Sequence, residues 1–304
     1  MNSRNEKKGI FMFKGAYTAL ITPFNRSGEV HYERLRKLVE FQVANGVDGL
    51  VPVGTTGESP TLDHDEHIEV IRVTVEAAAG RLKVLAGTGG NSTAEALDLT
   101  RRAKEVGADG TLQVTPYYNK PTQAGLIQHF TAVADIGLPV VLYNVPGRTS
   151  CEIAVPTIAE LAKHPNIVGV KEASGSADRV SRILSVCDIT VLSGDDALTL
   201  PMMSVGAAGV ISVASNVAPR AVADLVHAAA AGRWDEARRL HFQYYRLFTD
   251  IFIETNPIPI KAAAELIGLV PAHYRLPLCE ISPANLEKLR ATLQECGLLP
   301  APTT

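Results

Sequence analysis

The chain has 304 residues, 46% hydrophobic and 20% charged, with a formal net charge of −3. That balance suits a sizeable globular core and excludes an electrostatic footprint for nucleic acid or an anionic membrane surface. No apolar run approaches the length of a membrane helix, and the four cysteines (Cys151, Cys187, Cys279, Cys296) form no C-x-x-C pair, which argues against zinc and disulfide frameworks and points to the cytoplasm.

Along the chain, residues 1–12 (MNSRNEKKGIFM) carry charge and little pattern and read as a flexible N-terminal extension. Then short apolar runs alternate with amphipathic stretches. The runs are AYTALI (16–21), GLVPV (49–53), KVLAG (83–87), GTLQV (110–114), PVVLYN (139–144), IVGVK (167–171), ITVLS (189–193) and GVISV (209–213). Between the first of them lie helical spacings at 33–46, 63–80, 93–107 and 126–137. Asp63 followed by Glu66 predicts a capping pair, and Gly46, Gly80, Gly107 and Gly137 stand where those helices should stop. Strands apolar on both faces belong to a parallel sheet covered by helices, and eight such units close a (β/α)₈ barrel. An open doubly wound sheet is the competing arrangement. The expected fold is a (β/α)₈ TIM barrel over residues 13–232. A C-terminal helical extension follows over 233–304, with helices at 233–253, 257–268 and 284–296 and a loose tail, LPAPTT.

In such a barrel, chemistry collects where strands end. The polar clusters GTTGES (54–59), TPYYN (115–119), YNVPGRT (143–149), KEASG (171–175) and SGDD (193–196) all fall there, while the opposite loops, ANG (44–46) and EVG (105–107), are plain. Standard motifs are missing: no G-x-S-x-G, no H-E-x-x-H and no phosphate-binding lysine loop. GTGGNS (87–92) follows a strand, but Ser92 stands where a dinucleotide fingerprint needs its third glycine. His64 and His67 lack convergent partners for a metal. No metal and no cofactor are expected.

The remaining groups are an amine, phenols, hydroxyls and a guanidinium. Lys171 ends an apolar strand, which leaves two readings. It exits into water, or it sits desolvated in a barrel mouth, where a lowered pKa frees a neutral amine to form a Schiff base with a ketone. Imine formation requires a proton shuttle, for which Tyr143, Tyr117, Tyr118 and Thr55 are candidates. A keto-acid carboxylate needs donors, and the Gly54–Gly57 turn offers backbone N–H groups with the hydroxyls of Thr55 and Thr56. Two plainer readings stand beside these: the threonines cap the next helix, and Arg148 pairs with Glu152.

The set GTTGES, TPYYN, YNVPGRT, GVKEASG, SGDD, GVISV and NPIPIK…RLPL, in that order from about Phe13 to Leu299, resembles the dihydrodipicolinate synthase family of pyruvate-dependent aldolases. The resemblance implies that Lys171 forms the imine with pyruvate and that Tyr143 donates and accepts the proton beside it. It implies that Thr55 and Tyr118 complete a relay, the tyrosine arriving across a tight dimer interface. Thr56 would hold the pyruvate carboxylate, the backbone of Ile211 would face pyruvate, and Arg148 would grip the carboxylate of L-aspartate 4-semialdehyde. The product would be 4-hydroxy-tetrahydrodipicolinate, on the route to diaminopimelate and lysine, made by a homotetramer that is a dimer of dimers. His64, His67, Gly89, Asn91, Glu95 and Tyr117 match the positions at which lysine-sensitive members bind L-lysine as an inhibitor. Rival readings are a paralogous pyruvate aldolase, of the N-acetylneuraminate lyase or keto-deoxy sugar acid type, and a catalytically silent barrel serving as a binding or regulatory subunit.

Overall fold

A computed structural model describes residues 13–300. The expected N-terminal extension at 1–12 and most of the expected loose tail lie outside the described residues. Eight strands form one closed parallel barrel in sequence order: β1 (Gly15–Ala19), β2 (Gly49–Val51), β3 (Lys83–Gly87), β4 (Gly110–Val114), β5 (Val140–Asn144), β6 (Ile167–Glu172), β7 (Thr190–Ser193) and β8 (Gly209–Ser212). All eight apolar runs became strands, because each offers both of its faces for burial, inward to the lumen and outward to helices. The seam closes where β1 pairs with β8, with Tyr17 opposite Ile211 and Thr18 opposite Ser212. A closed barrel replaces the open-sheet alternative.

The helices between strands are α1 (Tyr32–Ala44), α2 (His64–Ala78), α3 (Thr93–Glu105), α4 (Gln123–Ala134), the single turn α5 (Pro146–Thr149), α6 (Val155–Leu161), α7 (Ala177–Leu184) and α8 (Thr199–Ser204). α9 (Pro219–Ala230) closes the last unit, and α10 (Trp234–Asp250), α11 (Ile258–Leu266) and α12 (Pro283–Glu295) follow. Local chemistry sets several ends. The Asp63 side chain accepts from the N–H groups of Asp65 and Glu66, while Glu66 accepts from the Asp63 N–H, a complete capping box. Gly107, past the end of α3, has φ +89°, left-handed backbone that costs glycine nothing. Among the described residues no helix is long and apolar enough to cross a membrane.

One buried ion pair ties the C-terminal helices to the barrel mouth. Lys261 on α11 donates to Glu58 at 2.5 Å, to the Thr22 carbonyl at 3.1 Å and to the His273 carbonyl, and both charged side chains are wholly buried. Glu58 belongs to the GTTGES loop after β2, so α11 holds the loop that carries Thr55 and Thr56.

Candidate active site

β5 and β6 are in register, with Tyr143 opposite Lys171, and residues paired across parallel strands point to the same face. Both side chains therefore enter the carboxyl-terminal mouth of the barrel at one level. Lys171 Nζ lies over the Tyr143 ring, 4.3 Å from its centroid. The lysine is only 5% exposed and makes no hydrogen bond among the described residues. Burial pushes its pKa down to about 8; buried Asp196 opposes that shift and the Arg148 guanidinium reinforces it. The solvated-exit reading of Lys171 is thereby removed.

Tyr143 is buried as well, and burial raises its phenol pKa, while Arg148 and a hydrogen bond with Thr55 pull the other way. One cavity gathers Thr55, Thr56, Tyr143, Arg148, Lys171, Gly194, Asp195, Val213, Phe252 and Asn256. It continues into a second chamber that shares Thr55, Tyr143 and Arg148 and reaches Gly89 and Tyr117.

The GTTGES turn is built tightly. Gly57 and Gly87 both abut Val53, where a Cβ on either would fall within about 3 Å of its backbone. The N–H groups of Gly57 and Ser59 close the turn on the Gly54 carbonyl, whereas those of Thr55 and Thr56 make no hydrogen bond among the described residues. Two N–H donors and the Thr56 hydroxyl thus remain for an anion. Neither threonine caps a helix: α2 is capped by Asp63, and Thr56 Oγ1 accepts from Asn256 Nδ2 at 2.9 Å. Arg148 does not pair with Glu152, which binds Arg179 instead; Arg148 Nη2 donates to the Asn256 carbonyl at 3.2 Å.

Two of the expected residues stand apart. Ile211 is wholly buried in β8 and does not line the cavity, while Val213, two residues on, does. Tyr118 is 90% exposed, with φ +72°, and its ring lies outside its own chain's cavity.

Of the second expected site, Gly89 and Tyr117 line the second chamber, while His64 and His67 stand on α2. His64 Nε2 meets Glu95 Oε1 at 3.0 Å, and Asn119 donates to the Asn91 carbonyl at 2.8 Å. Buried His67 donates to the Gly87 carbonyl at 2.7 Å, and burial pushes its pKa down to about 4, leaving it neutral. Tyr117 is exposed on one side, and the covering of the rest of its ring, with Glu95 nearby, raises its pKa. Among the described residues no group of three metal-ligating side chains converges.

Sequence reasoning missed Asp196, Asn256 and the Lys261–Glu58 pair. Asp196 accepts from Ser212 Oγ and from the N–H groups of Val213 and Ala214, and its pKa is pushed up to about 6, burial outweighing those bonds. Its signal was present in SGDD, a second acid where one would serve to cap the next helix. Asn256 carried none beyond the NPIPIK motif.

A (β/α)₈ barrel with a desolvated lysine beside a phenol at its carboxyl mouth has the equipment of an imine-forming lyase. The model of the dihydrodipicolinate synthetase family matches residues 12–296, and this chain belongs to that family. The 4-hydroxy-tetrahydrodipicolinate synthase of Geobacter metallireducens is 54% identical over 291 residues, covering 95% of this chain and all of the relative. A solved structure of the chloride-inhibited Acinetobacter baumannii dihydrodipicolinate synthase in complex with pyruvate superposes with a TM-score of 0.93 at 42% identity, covering 94% and 99% of the two chains. The Cyanidioschyzon merolae enzyme, solved with lysine bound, superposes with a TM-score of 0.92 at 43% identity, covering 94% and 99%.

Proposed function

We infer that this chain is a lyase that condenses pyruvate with L-aspartate 4-semialdehyde to give 4-hydroxy-tetrahydrodipicolinate, in lysine and diaminopimelate biosynthesis. The observation that carries the reading is Lys171, buried without a hydrogen-bond partner among the described residues, over the Tyr143 ring and within one cavity with Thr55, Thr56 and Arg148. The synthase relative at 54% identity favours this acceptor over those of the paralogous aldolases.

In the proposed sequence, the neutral Lys171 amine adds to C2 of pyruvate. The carbinolamine loses water, Tyr143 supplying the proton and Thr55 relaying it. Loss of a C3 proton turns the imine into an enamine, whose carbon attacks the aldehyde. The amino group of the former semialdehyde then adds to the imine carbon, and Lys171 departs as the free amine, so that one water leaves overall. Thr56 and the free N–H groups beside it hold the pyruvate carboxylate, and Arg148 holds the second carboxylate.

Tyr118 is assigned to the cavity of a partner copy. Its exposed ring and left-handed backbone, which costs a tyrosine about 1–3 kcal/mol, support a residue shaped for another chain. The assembly is a homotetramer, a dimer of dimers, working in the cytoplasm. The set of His64, His67, Gly89, Asn91, Glu95 and Tyr117 is assigned to L-lysine as an inhibitor, with Glu95 as counter-charge to an ammonium.

Initial rates with both substrates test the activity: formation of the cyclic product is the expected result, and turnover only with sugar aldehydes contradicts it. Millimolar L-lysine should lower the rate, and an unchanged rate removes the inhibitor assignment. Sedimentation should give four copies per particle; a monomer would overturn the role of Tyr118.

A further inference from the structure

Tyr143 and Lys171 are not the last paired residues of their strands, for the register continues to Asn144 opposite Glu172. Side chains alternate along a strand, so this second pair points away from the barrel mouth, toward the helices behind it. Both side chains are wholly buried, and neither takes part in the sequence of steps proposed above.

Asn144 Nδ2 donates to the two carboxylate oxygens of Glu172, at 3.0 and 3.1 Å. The same carboxylate accepts from the Ser174 N–H at 2.8 Å and from Arg179 Nε at 2.8 Å. Arg179, on α7, also donates to Glu152 and to the Ile153 carbonyl, while Asn144 Oδ1 accepts from the Ile153 N–H at 3.0 Å. The ends of β5 and β6, the KEASG loop, α7 and the segment between α5 and α6 thus meet at one carboxylate. A buried ion pair adds little net stability over apolar side chains of similar volume, but its directional bonds fix geometry. Here they fix two neighbouring strand ends. Asn144 and Glu172 each follow a reacting side chain by one residue, so any slip between them carries the phenol away from the amine.

We propose that the Asn144–Glu172 bond, braced by Arg179, is a clamp behind the reacting pair, which makes Asn144 and Glu172 positioning residues. They hold Tyr143 where its proton can be passed as Lys171 forms the imine. The assignment rests on the functional reading above only as far as the pyruvate imine. The donors for the pyruvate carboxylate stand on a different loop, after β2, so the clamp acts on the chemical step and not on pyruvate binding. A displacement of about 1 Å in such a pair costs about 10- to 100-fold in rate.

The test is a double-mutant cycle read by borohydride trapping of the pyruvate imine in single turnovers. Glu172→Gln is expected to slow trapping about 10- to 100-fold at saturating pyruvate and to leave the half-saturating concentration within about twofold. In a Tyr143→Phe background no phenolic proton remains to be placed, and the same change should cost less than about threefold. Exchanging the partners, Asn144→Asp with Glu172→Gln, sets a donor against an acceptor again and should recover most of the rate. Arg179→Lys loosens the brace and serves the same cycle, with a smaller loss, should Glu172→Gln not fold. Equal losses in both backgrounds, a matching rise in the pyruvate needed, an unchanged rate, or an exchanged pair that folds and stays slow overturns the assignment and leaves the network as scaffolding. A wild type that traps no pyruvate imine overturns the functional reading itself, before any variant is made.

Discussion

Among the described residues two lysines are buried, and each lies 4.3 Å from the centroid of an aromatic ring: Lys171 over Tyr143 and Lys261 over Phe24. Their surroundings differ in acceptors. Lys261 has a carboxylate and two carbonyls within reach, so burial pulls its pKa down while Glu58 holds its proton in place. Lys171 has none within hydrogen-bond reach among the described residues, and its pKa is pushed down to about 8. Burial alone therefore does not make a nucleophile. The acceptors decide whether a buried amine becomes a strut or a reagent.

The sharpest way to break that contrast is to remove each amine in turn. Lys171→Ala should lower turnover about 10⁴-fold or more, the scale of losing a covalent nucleophile, with no adduct trapped from pyruvate. Tyr143→Phe keeps the ring under Lys171 and removes the phenolic proton, so kcat should fall about 10²- to 10⁴-fold in steady-state assays.

Urea unfolding reverses the ranking. Lys261→Met leaves Glu58 buried without a partner and should cost about 3–5 kcal/mol, part of it regained in the double variant with Glu58→Gln. Lys171→Met should lie within about 1 kcal/mol of wild type or above it at pH 7. The sign follows from its depressed pKa: the folded state disfavours the ammonium, that penalty is complete below pH 8, and it fades as pH rises toward 10.5.

The smallest effect sharpens the origin of the shift. Imine formation should rise with pH and level off above about 8, as the neutral amine takes over. Asp196 opposes the depression, so Asp196→Asn should move that midpoint lower, measured by pre-steady-state trapping across pH. A midpoint that moves upward would contradict the electrostatic account.

Much of this was legible from the chain because a barrel places strand ends on one face. Lys171 and Tyr143 end successive strands, and period-two alternation with parallel register suffices to bring them together. Thr55 and Arg148 follow β2 and β5 directly, at positions the same logic selects. Asn256 and Lys261 were not legible, because each acts through a tertiary contact with no period. Asn256 reaches Thr56 across 200 residues and Lys261 reaches Glu58 across 203, from a segment that is not part of the barrel repeat. Tyr118 marks the other limit, since its surroundings inside one chain leave it in solvent.

The central claim is that Lys171, not Lys261, is the amine that reacts. Borohydride reduction of the protein with pyruvate, followed by peptide mass mapping, tests it directly. The account predicts one pyruvyl adduct, on the peptide carrying Lys171, and an unmodified Lys261 peptide. An adduct on Lys261, or none on Lys171, would contradict it.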